Sequence, residues 1–397
     1  MIFNLEGFLT GIYLGLTRRK LTLARFGWFL LFLVLYPLFF VFFYAGWLLD
    51  EIFFRGYRRR KIREPVYILA NPRSGTTYLH RLMAADPRFT TLKTYEMAFP
   101  TVTQQRLLRG IGRIDRWLGA PLAKLLARFE ARIFRFWQGI HPMGFREAEE
   151  DEGLFSFTFY TVLVYLLFPF PDKLGYLEFP DRLPEKTQKA LMTFYARALQ
   201  RHLHTVGEEK RFLSKNVLFA GRIQGLMRTF PDARIIYLVR HPYEAIPSFV
   251  SLALTFWRIH TPDISDRGEE AAAVARLAIE YYRTILDLRK ELPPESMLVV
   301  RYEDLVADPL GTVERIYRHL GLTFPEEIRT QLTEEVQRRR GYRSRHTYDL
   351  DRYGISPKAI EEALADLFDE FGFSREVTSR SEGETQAHSP APAPKEH

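Results

Sequence analysis

Hydropathy divides the chain before any motif does. Residues 27–49, GWFLLFLVLYPLFFVFFYAGWLL, run for 23 positions without a charge. About 20 apolar residues are enough to cross a hydrocarbon layer of ~30 Å, so the pattern predicts a membrane-anchoring helix. Trp28 and Trp47 stand near its ends, where interfacial aromatics collect. A removable signal peptide would carry a shorter apolar core and a small-residue cleavage site. Pro37 at the centre leaves two membrane geometries open, a kinked span and a re-entrant hairpin in one leaflet. A buried helix of a soluble protein is the third reading. Residues 1–16 are also largely apolar, but Glu6 and the turn-like stretch that follows predict an interfacial helix.

Beyond residue 64 the pattern changes to short apolar runs alternating with helical spacing. Val66–Leu69, Arg234–Val239 and Met297–Val300 read as buried strands. Tyr78, Leu79, Leu82 and Met83 recur at helical spacing ahead of Pro87. Residues 102–137 interleave basic positions with Leu, Ile, Phe and Trp, a pattern of a helix lying on a bilayer or of an ordinary core-packing helix. Phe155–Phe170 is a 16-residue uncharged run. It is short for a span and is read as a helix, with three settings open: lining an apolar acceptor pocket, dipping into lipid, or plain core. From Ser374 the chain is polar and Pro-Ala-rich, the composition of a disordered tail. Three regions follow: a membrane-anchoring segment at 1–63, an α/β domain at 64–373, and the tail at 374–397.

The richest chemistry lies between the first strand and the first helix after it, in Ala70-Asn71-Pro72-Arg73-Ser74-Gly75-Thr76-Thr77. A strand, a tight loop and a helix N-terminus together present free backbone N–H groups to an oxyanion. A nucleotide triphosphate loop of the form G-x-x-x-x-G-K-[ST] would have glycine at Ala70 and lysine at Thr76. The lysine that reaches a γ-phosphate is therefore missing, and Arg73 brings positive charge earlier in the loop. A second cradle follows the strand at 234–239, where Arg240 leaves the strand end and Ser248 sits on the second turn of the next helix. Ligands of open α/β sheets collect at the carboxyl ends of strands, and an arginine fork with a hydroxyl suits a terminal phosphate.

Taken together, these stretches resemble the sulfotransferases that use 3′-phosphoadenosine 5′-phosphosulfate (PAPS). Arg73, Ser74, Gly75, Thr76 and Thr77 match that family's P-[RK]-[ST]-G-T-T loop for the 5′-phosphosulfate. Arg240 and Ser248, eight residues apart, match its pair for the 3′-phosphate. Ser214-Lys215 is similar to the lysine after a central strand, and Arg301-Tyr302-Glu303-Asp304-Leu305 to the R-Y-E-D-L segment. His346-Thr347-Tyr348 with Tyr353-Gly354-Ile355 resembles a C-terminal signature of the bacterial branch. The resemblance implies a P-loop-like parallel sheet flanked by helices. It also implies PAPS as cosubstrate, PAP as product, and no metal. Under it, Arg73 and Lys215 act on the transferring group, while Tyr302, Arg343 and Ser344 contact the nucleotide, the last two with Arg345 on a basic loop.

A hydroxyl acceptor needs a general base. Soluble cytosolic sulfotransferases place a histidine two residues beyond their equivalent of Lys215, and this chain has Val217 there. Glu96, in Thr94-Tyr95-Glu96-Met97, instead resembles the catalytic glutamate of tyrosylprotein and related sulfotransferases. His141 and the acidic run Glu147, Glu149, Glu150, Asp151 and Glu152 form a second candidate group, with a solvated helix start as the plainer reading of the run.

Composition narrows the partners. The formal charge of +8, from 56 Lys and Arg against 48 Asp and Glu, suits a polyanionic cosubstrate or an anionic membrane. No nucleic-acid-reading motif is present, and with no cysteine, disulfide and thiol chemistry are excluded. The basic cluster after the apolar segment (Arg55, Arg58, Arg59, Arg60, Lys61, Arg63) exceeds that before it (Arg18, Arg19, Lys20, Arg25), which puts the catalytic body in the cytoplasm. The expectation is a membrane-associated sulfotransferase acting on a lipid-like or other apolar hydroxyl. The alternatives are a non-catalytic PAPS-binding membrane scaffold and a sulfotransferase for a glycan or small polar molecule.

Overall fold

The computed structural model describes residues 2–18, 22–133, 144–207, 209–338 and 349–376. Helices α1 (Leu5–Thr17) and α2 (Leu23–Phe53) precede strand β1 (Val66–Ala70) and helix α3 (Thr76–Ala84). Next come β2 (Phe89–Thr90), α4 (Thr94–Ala98), α5 (Val102–Trp117), α6 (Pro121–Ile133), α7 (Pro171–Leu174) and α8 (Glu185–Val206). The second half runs β3 (Arg211–Lys215), α9 (Ile223–Thr229), β4 (Arg234–Val239), α10 (Pro242–Arg258), α11 (Glu269–Glu291) and β5 (Met297–Arg301). It closes with α12 (Tyr302–Ala307), α13 (Pro309–His319), α14 (Glu326–Arg338), α15 (Pro357–Ala363) and α16 (Ala365–Phe371).

The five strands form one sheet in the order β2-β3-β1-β4-β5, and every pairing is parallel. A parallel sheet needs both faces covered, and the alternation along β1 shows how. Val66, Ile68 and Ala70 pack with α3, α12 and α13, while Tyr67 and Leu69 belong to the larger cluster on the opposite face. That larger cluster takes in α8, α10, α11 and also Leu14, Phe29 and Phe43 from the two N-terminal helices. The expected P-loop-like sheet flanked by helices is the fold observed.

The apolar segment at 27–49 lies inside a single 31-residue helix that continues through Pro37, so it does not turn back as a hairpin. Residues 102–133 are two helices rather than one, broken where Gly119 and Ala120 take φ of 86° and 60°; 134–137 fall outside the described residues. The run Phe155–Phe170 is a correction. It is not a helix but a sequence of two 3₁₀ turns, Asp151–Phe157 and Val162–Leu166, joined through Phe159 at φ 59°. Phe155, Phe157, Phe159, Phe168 and Phe170 are at most 3% exposed, which makes the run core packing between α2 and the sheet. Rings from separate elements can fill a core without helical periodicity, and an unbroken apolar run carries no period to read.

Candidate active site

Neighbouring strands β1 and β4 send their connections to opposite sides of the sheet, and such a reversal opens a crevice at the carboxyl ends. Register aligns Ala70 with Leu238, so Arg73 and Arg240 leave the sheet side by side. Arg240 Nη1 donates to the Arg73 carbonyl at 2.6 Å, and Arg73 Nε donates to Ser248 Oγ at 3.2 Å. The two cradles read separately in the sequence are therefore one cluster. Arg73 itself sits at φ 72°, a left-handed conformation that costs a non-glycine residue about 1–3 kcal/mol and persists where surroundings impose it.

Around this pair the loop is tightly covered. Gly75 caps α3 at φ 86°, and a Cβ there would meet the Tyr302 ring at 2.8 Å. Both the backbone conformation and the space require glycine. Tyr302 begins α12, because the strand β5 passes directly into a helix. Its ring stacks under the Arg240 guanidinium, 4.6 Å from centroid to Cζ. Arg240 is held further by Glu244 at 2.7 Å, and its carbonyl accepts from Tyr282 Oη at 2.7 Å. Sequence reading missed Tyr282, a helical tyrosine with no motif to flag it.

The loop fits a phosphate-bearing ligand. Ser74 is fully buried, yet its Oγ has no hydrogen-bond partner among the described residues, an exception among buried polar atoms. The first amides of α3 have no partners within the helix by construction. An orphaned hydroxyl beside unsatisfied amides, under two arginines, is a concave set of donors for oxyanions.

Lys215 ends β3 opposite Ile68 of β1 and is 1% exposed. Its ammonium donates to Thr77 Oγ1 at 3.5 Å and lies 3.8 Å from Glu150 and 4.0 Å from Glu149. A buried ammonium between a loop threonine and two carboxylates joins the third strand end to the same crevice. His80 on α3 is buried nearby; desolvation, then the Lys215 charge, lowers its pKa to about 3, so the ring is neutral.

The acidic run corrects a second expectation. Glu147 is solvated, with its side chain 55% exposed, but Asp151 and Glu152, which open the 3₁₀ turn Asp151–Phe157, are only 1% and 0% exposed. Asp151 accepts from Tyr195 Oη, from Ser214 Oγ at 2.9 Å and from Asn216 Nδ2 at 3.0 Å. Glu152 pairs with buried Arg222 at 2.6 Å and accepts from Thr161 Oγ1 at 2.6 Å. These partners lie up to 70 positions away, too far for local sequence to announce. Burial raises the Asp151 pKa to about 7 against the pull of its three donors.

Glu96 is 7% exposed on the short helix α4. One carboxylate oxygen caps the Lys93 amide at 3.1 Å and the other accepts from Tyr95 Oη at 3.1 Å. The His202 ring approaches at 4.0 Å, but burial, followed by the nearby Lys210 charge, holds its pKa near 3. The contact is thus not an ion pair. Among the described residues the hydrogen bonds of Glu96 stay within its own turn, and none joins it to the Arg73–Arg240 cluster. Arg343, Ser344, Arg345, His141 and the His346–Tyr348 signature lie outside the described residues.

Comparison with known proteins accounts for this arrangement. The sulfotransferase family profile matches residues 65–326, well over half of the chain. The omega-hydroxy-beta-dihydromenaquinone-9 sulfotransferases Stf3 of Mycobacterium bovis and Mycobacterium tuberculosis are each 26% identical over 325 residues, covering 78% of this chain and 76% of theirs. Sulfotransferase STF1 of Mycobacterium tuberculosis superposes with a TM-score of 0.60 at 26% identity over 79% of each chain. STF9 of Mycobacterium avium shares the fold, with a TM-score of 0.68 at 19% identity over 83% of this chain and 82% of its own. The loop, the strand-end lysine and the second arginine all fall within the matched span, and the chain belongs to the sulfotransferase family.

Proposed function

We propose that the chain is a membrane-anchored enzyme that moves a sulfuryl group from PAPS to the hydroxyl of an apolar, lipid-like acceptor, giving PAP and a sulfate ester. The carrying observation is the convergence of Arg73, Arg240 and Ser248 from two separate strand ends around a loop whose buried Ser74 hydroxyl has no partner among the described residues. Ser74, Gly75, Thr76 and Thr77 bind the 5′-phosphosulfate through amides and hydroxyls. Arg240 and Ser248 take the 3′-phosphate, Tyr302 contacts the nucleotide, and the family resemblance adds Arg343 and Ser344 to the nucleotide contacts.

In the transfer the acceptor oxygen bonds to sulfur while the bond from sulfur to the bridging phosphate oxygen breaks. By analogy with phosphoryl transfer, the protein mainly aligns the partners and neutralises charge on the leaving oxygen. Arg73 and Lys215 supply that charge, and no metal enters the scheme. The hydroxyl proton goes to a carboxylate, Glu96. A second reading makes Glu150 the base, favoured by its position 3.8 Å from the Lys215 ammonium.

Three facts support an apolar acceptor at a membrane. The Stf3 relatives are named for a hydroxylated menaquinone derivative. Helix α2 is long and apolar enough to enter a bilayer. Phe99, three residues past Glu96, packs on Phe39 and Phe42 of α2 at 6.0 and 5.9 Å between ring centroids. The catalytic body is assigned to the cytoplasmic side, where PAPS is made.

The test incubates membranes containing the protein with radiosulfate-labelled PAPS and extracted lipids, beside the Arg73→Ala variant. A labelled lipid formed only by the wild type is the expected result. Label appearing instead on a glycan or small polar alcohol would replace the acceptor class. PAP binding without any transfer would leave a scaffold.

A further inference from the structure

A helix that crosses a bilayer leaves the segments before and after it on opposite sides. Here both segments are fastened to the same folded body. Before α2, the Asn4 amide donates to the Thr158 carbonyl at 2.8 Å, the Asn4 side chain donates to Tyr176 Oη at 2.8 Å, and Arg18 pairs with Asp172 at 2.6 Å. After the apolar stretch, Asp50 pairs with Arg201 at 2.9 Å, with both side chains wholly buried, and accepts from the Val102 and Thr103 amides at 2.8 Å.

The helix between these fixings also lies along the body. A helix of 31 residues is about 46 Å long, and contacts recur on one face over most of it. Phe29 and Phe32 meet Phe168, and the Tyr36 hydroxyl donates to the Ser156 carbonyl at 2.8 Å. Phe43 stacks on Phe157 at 3.8 Å, and Trp47 stacks on Phe194 at 5.1 Å. The spacing 29, 32, 36, 43, 47 is one stripe of a helix. The opposite stripe is apolar and open: Leu31, Leu35, Leu38 and Val41 are 47%, 52%, 63% and 65% exposed, with no charge between Arg25 and Asp50.

A neighbouring helix continues the same chemistry. Helix α5 is bound to α2 through Gln104 Nε2 and the Phe42 carbonyl at 3.0 Å. Its exposed Leu107, Ile111 and Ile114 accompany exposed Arg106, Arg109, Arg113 and Arg116. Its one carboxylate, Asp115, is buried and caps the Leu122 and Ala123 amides. An apolar stripe edged by arginines without exposed acids fits an anionic lipid surface.

We propose that α2 does not cross the bilayer. It lies in the plane of one leaflet, protein on one side and acyl chains on the other, with α5 alongside contacting anionic headgroups. This deepens the membrane reading of the proposed function and rests on it. Such seating holds the α4 segment that carries Glu96 against the leaflet, so an acceptor with a long apolar tail reaches the site without leaving lipid.

The chain has no cysteine, which allows a direct test. Thr17→Cys and Arg59→Cys, on exposed positions at either end of α2, are made singly in the full chain. Each is treated with a membrane-impermeant maleimide in sealed vesicles of known orientation from the expressing bacterium. The expected result is that both react in one vesicle orientation and both are protected in the other. Labelling on opposite sides would overturn the in-plane seating and leave anchoring and transfer intact. Recovery of the protein outside the membrane would overturn both this proposal and the anchoring, without touching sulfuryl transfer. With purified protein and phosphatidylcholine–phosphatidylglycerol vesicles, Leu35→Glu/Leu38→Glu is expected to lower the bound fraction about tenfold at unchanged PAP affinity. Unchanged vesicle binding would remove the outward stripe as the lipid contact.

Discussion

Arg73 and Ser248, 175 positions apart, are joined by a 3.2 Å hydrogen bond. Through it the residue expected at the sulfuryl group touches the residue expected at the 3′-phosphate. Under the proposed assignment, the loop arginine is positioned by the subsite for the 3′-phosphate, which would couple cosubstrate binding to charge placement through one guanidinium.

Arg240→Ala is expected to weaken PAP binding by about 10- to 100-fold, the worth of a charge-assisted pair. Affinity for adenosine 5′-phosphate, which lacks the 3′-phosphate, should change little. Calorimetric titration with both nucleotides measures the difference. Equal losses would mean that Arg240 acts on the loop, through its bond to the Arg73 carbonyl, rather than on the 3′-phosphate.

Gly75→Ala should cost about 5- to 150-fold in PAP affinity. The new methyl enters a left-handed backbone position and meets the Tyr302 ring at 2.8 Å, a strain of about 1–3 kcal/mol. Pairing it with Tyr302→Ala relieves the contact but not the backbone, so rescue should be incomplete. Full recovery of binding in the double variant would show that only the ring mattered.

Glu96→Gln should reduce turnover about 100-fold or more, the scale of general-base catalysis, with PAP binding retained. Glu150→Gln should alter turnover less, by loosening Lys215, 3.8 Å away. Single-turnover rates with saturating PAPS separate the two carboxylates. The reverse ranking would assign the base to Glu150.

Asp50→Asn is expected to destabilise the fold by about 3–5 kcal/mol, because it strips the buried Arg201 of its innermost partner. Arg201 keeps Glu51 at 3.0 Å and lies against the Trp47 and Tyr57 rings, so the loss should fall short of abolishing folding. Urea unfolding in detergent gives the value.

Asp151 predicts a pH slope. Burial raises its folded pKa to about 7 from an ordinary value of 3.8. Between those values the folded state binds more protons than the unfolded chain, so stability falls as pH rises through that window. Buried Glu152 is shifted upward as well and adds to the slope. Asp151→Asn should flatten the fall in unfolding free energy between pH 4 and 7, as about one titrating group is removed. An unchanged slope would mean the carboxyl stays ionised throughout.

Much of the sheet and of the phosphate loop was legible because both are local signals. Val66–Leu69 and Arg234–Val239 are apolar runs bounded by turns, and they are strands within a residue of those limits. Arg73 through Thr77 is a contiguous loop at a strand–helix junction. What was not legible depends on distant partners. Asp151 and Glu152 looked solvated because Ser214, Asn216 and Arg222, which satisfy them, come from another part of the chain. The run Phe155–Phe170 gave no period, and its rings are held by α2 and α8 instead of by a helix of its own. Helix α2 was legible as apolar, but its fixings at Asn4, Asp172 and Arg201 were not.

The most direct test of the central claim is the PAPS-dependent kcat/KM for sulfate-ester formation on two hydroxyl acceptors, followed by mass spectrometry of the product. One is a long-chain isoprenoid alcohol presented in lipid vesicles, and the other is a soluble sugar. The expected result is an intact sulfate ester on the isoprenoid, formed with at least about tenfold greater efficiency and lost in Arg73→Ala. Efficient transfer to the sugar with none to the isoprenoid would contradict it.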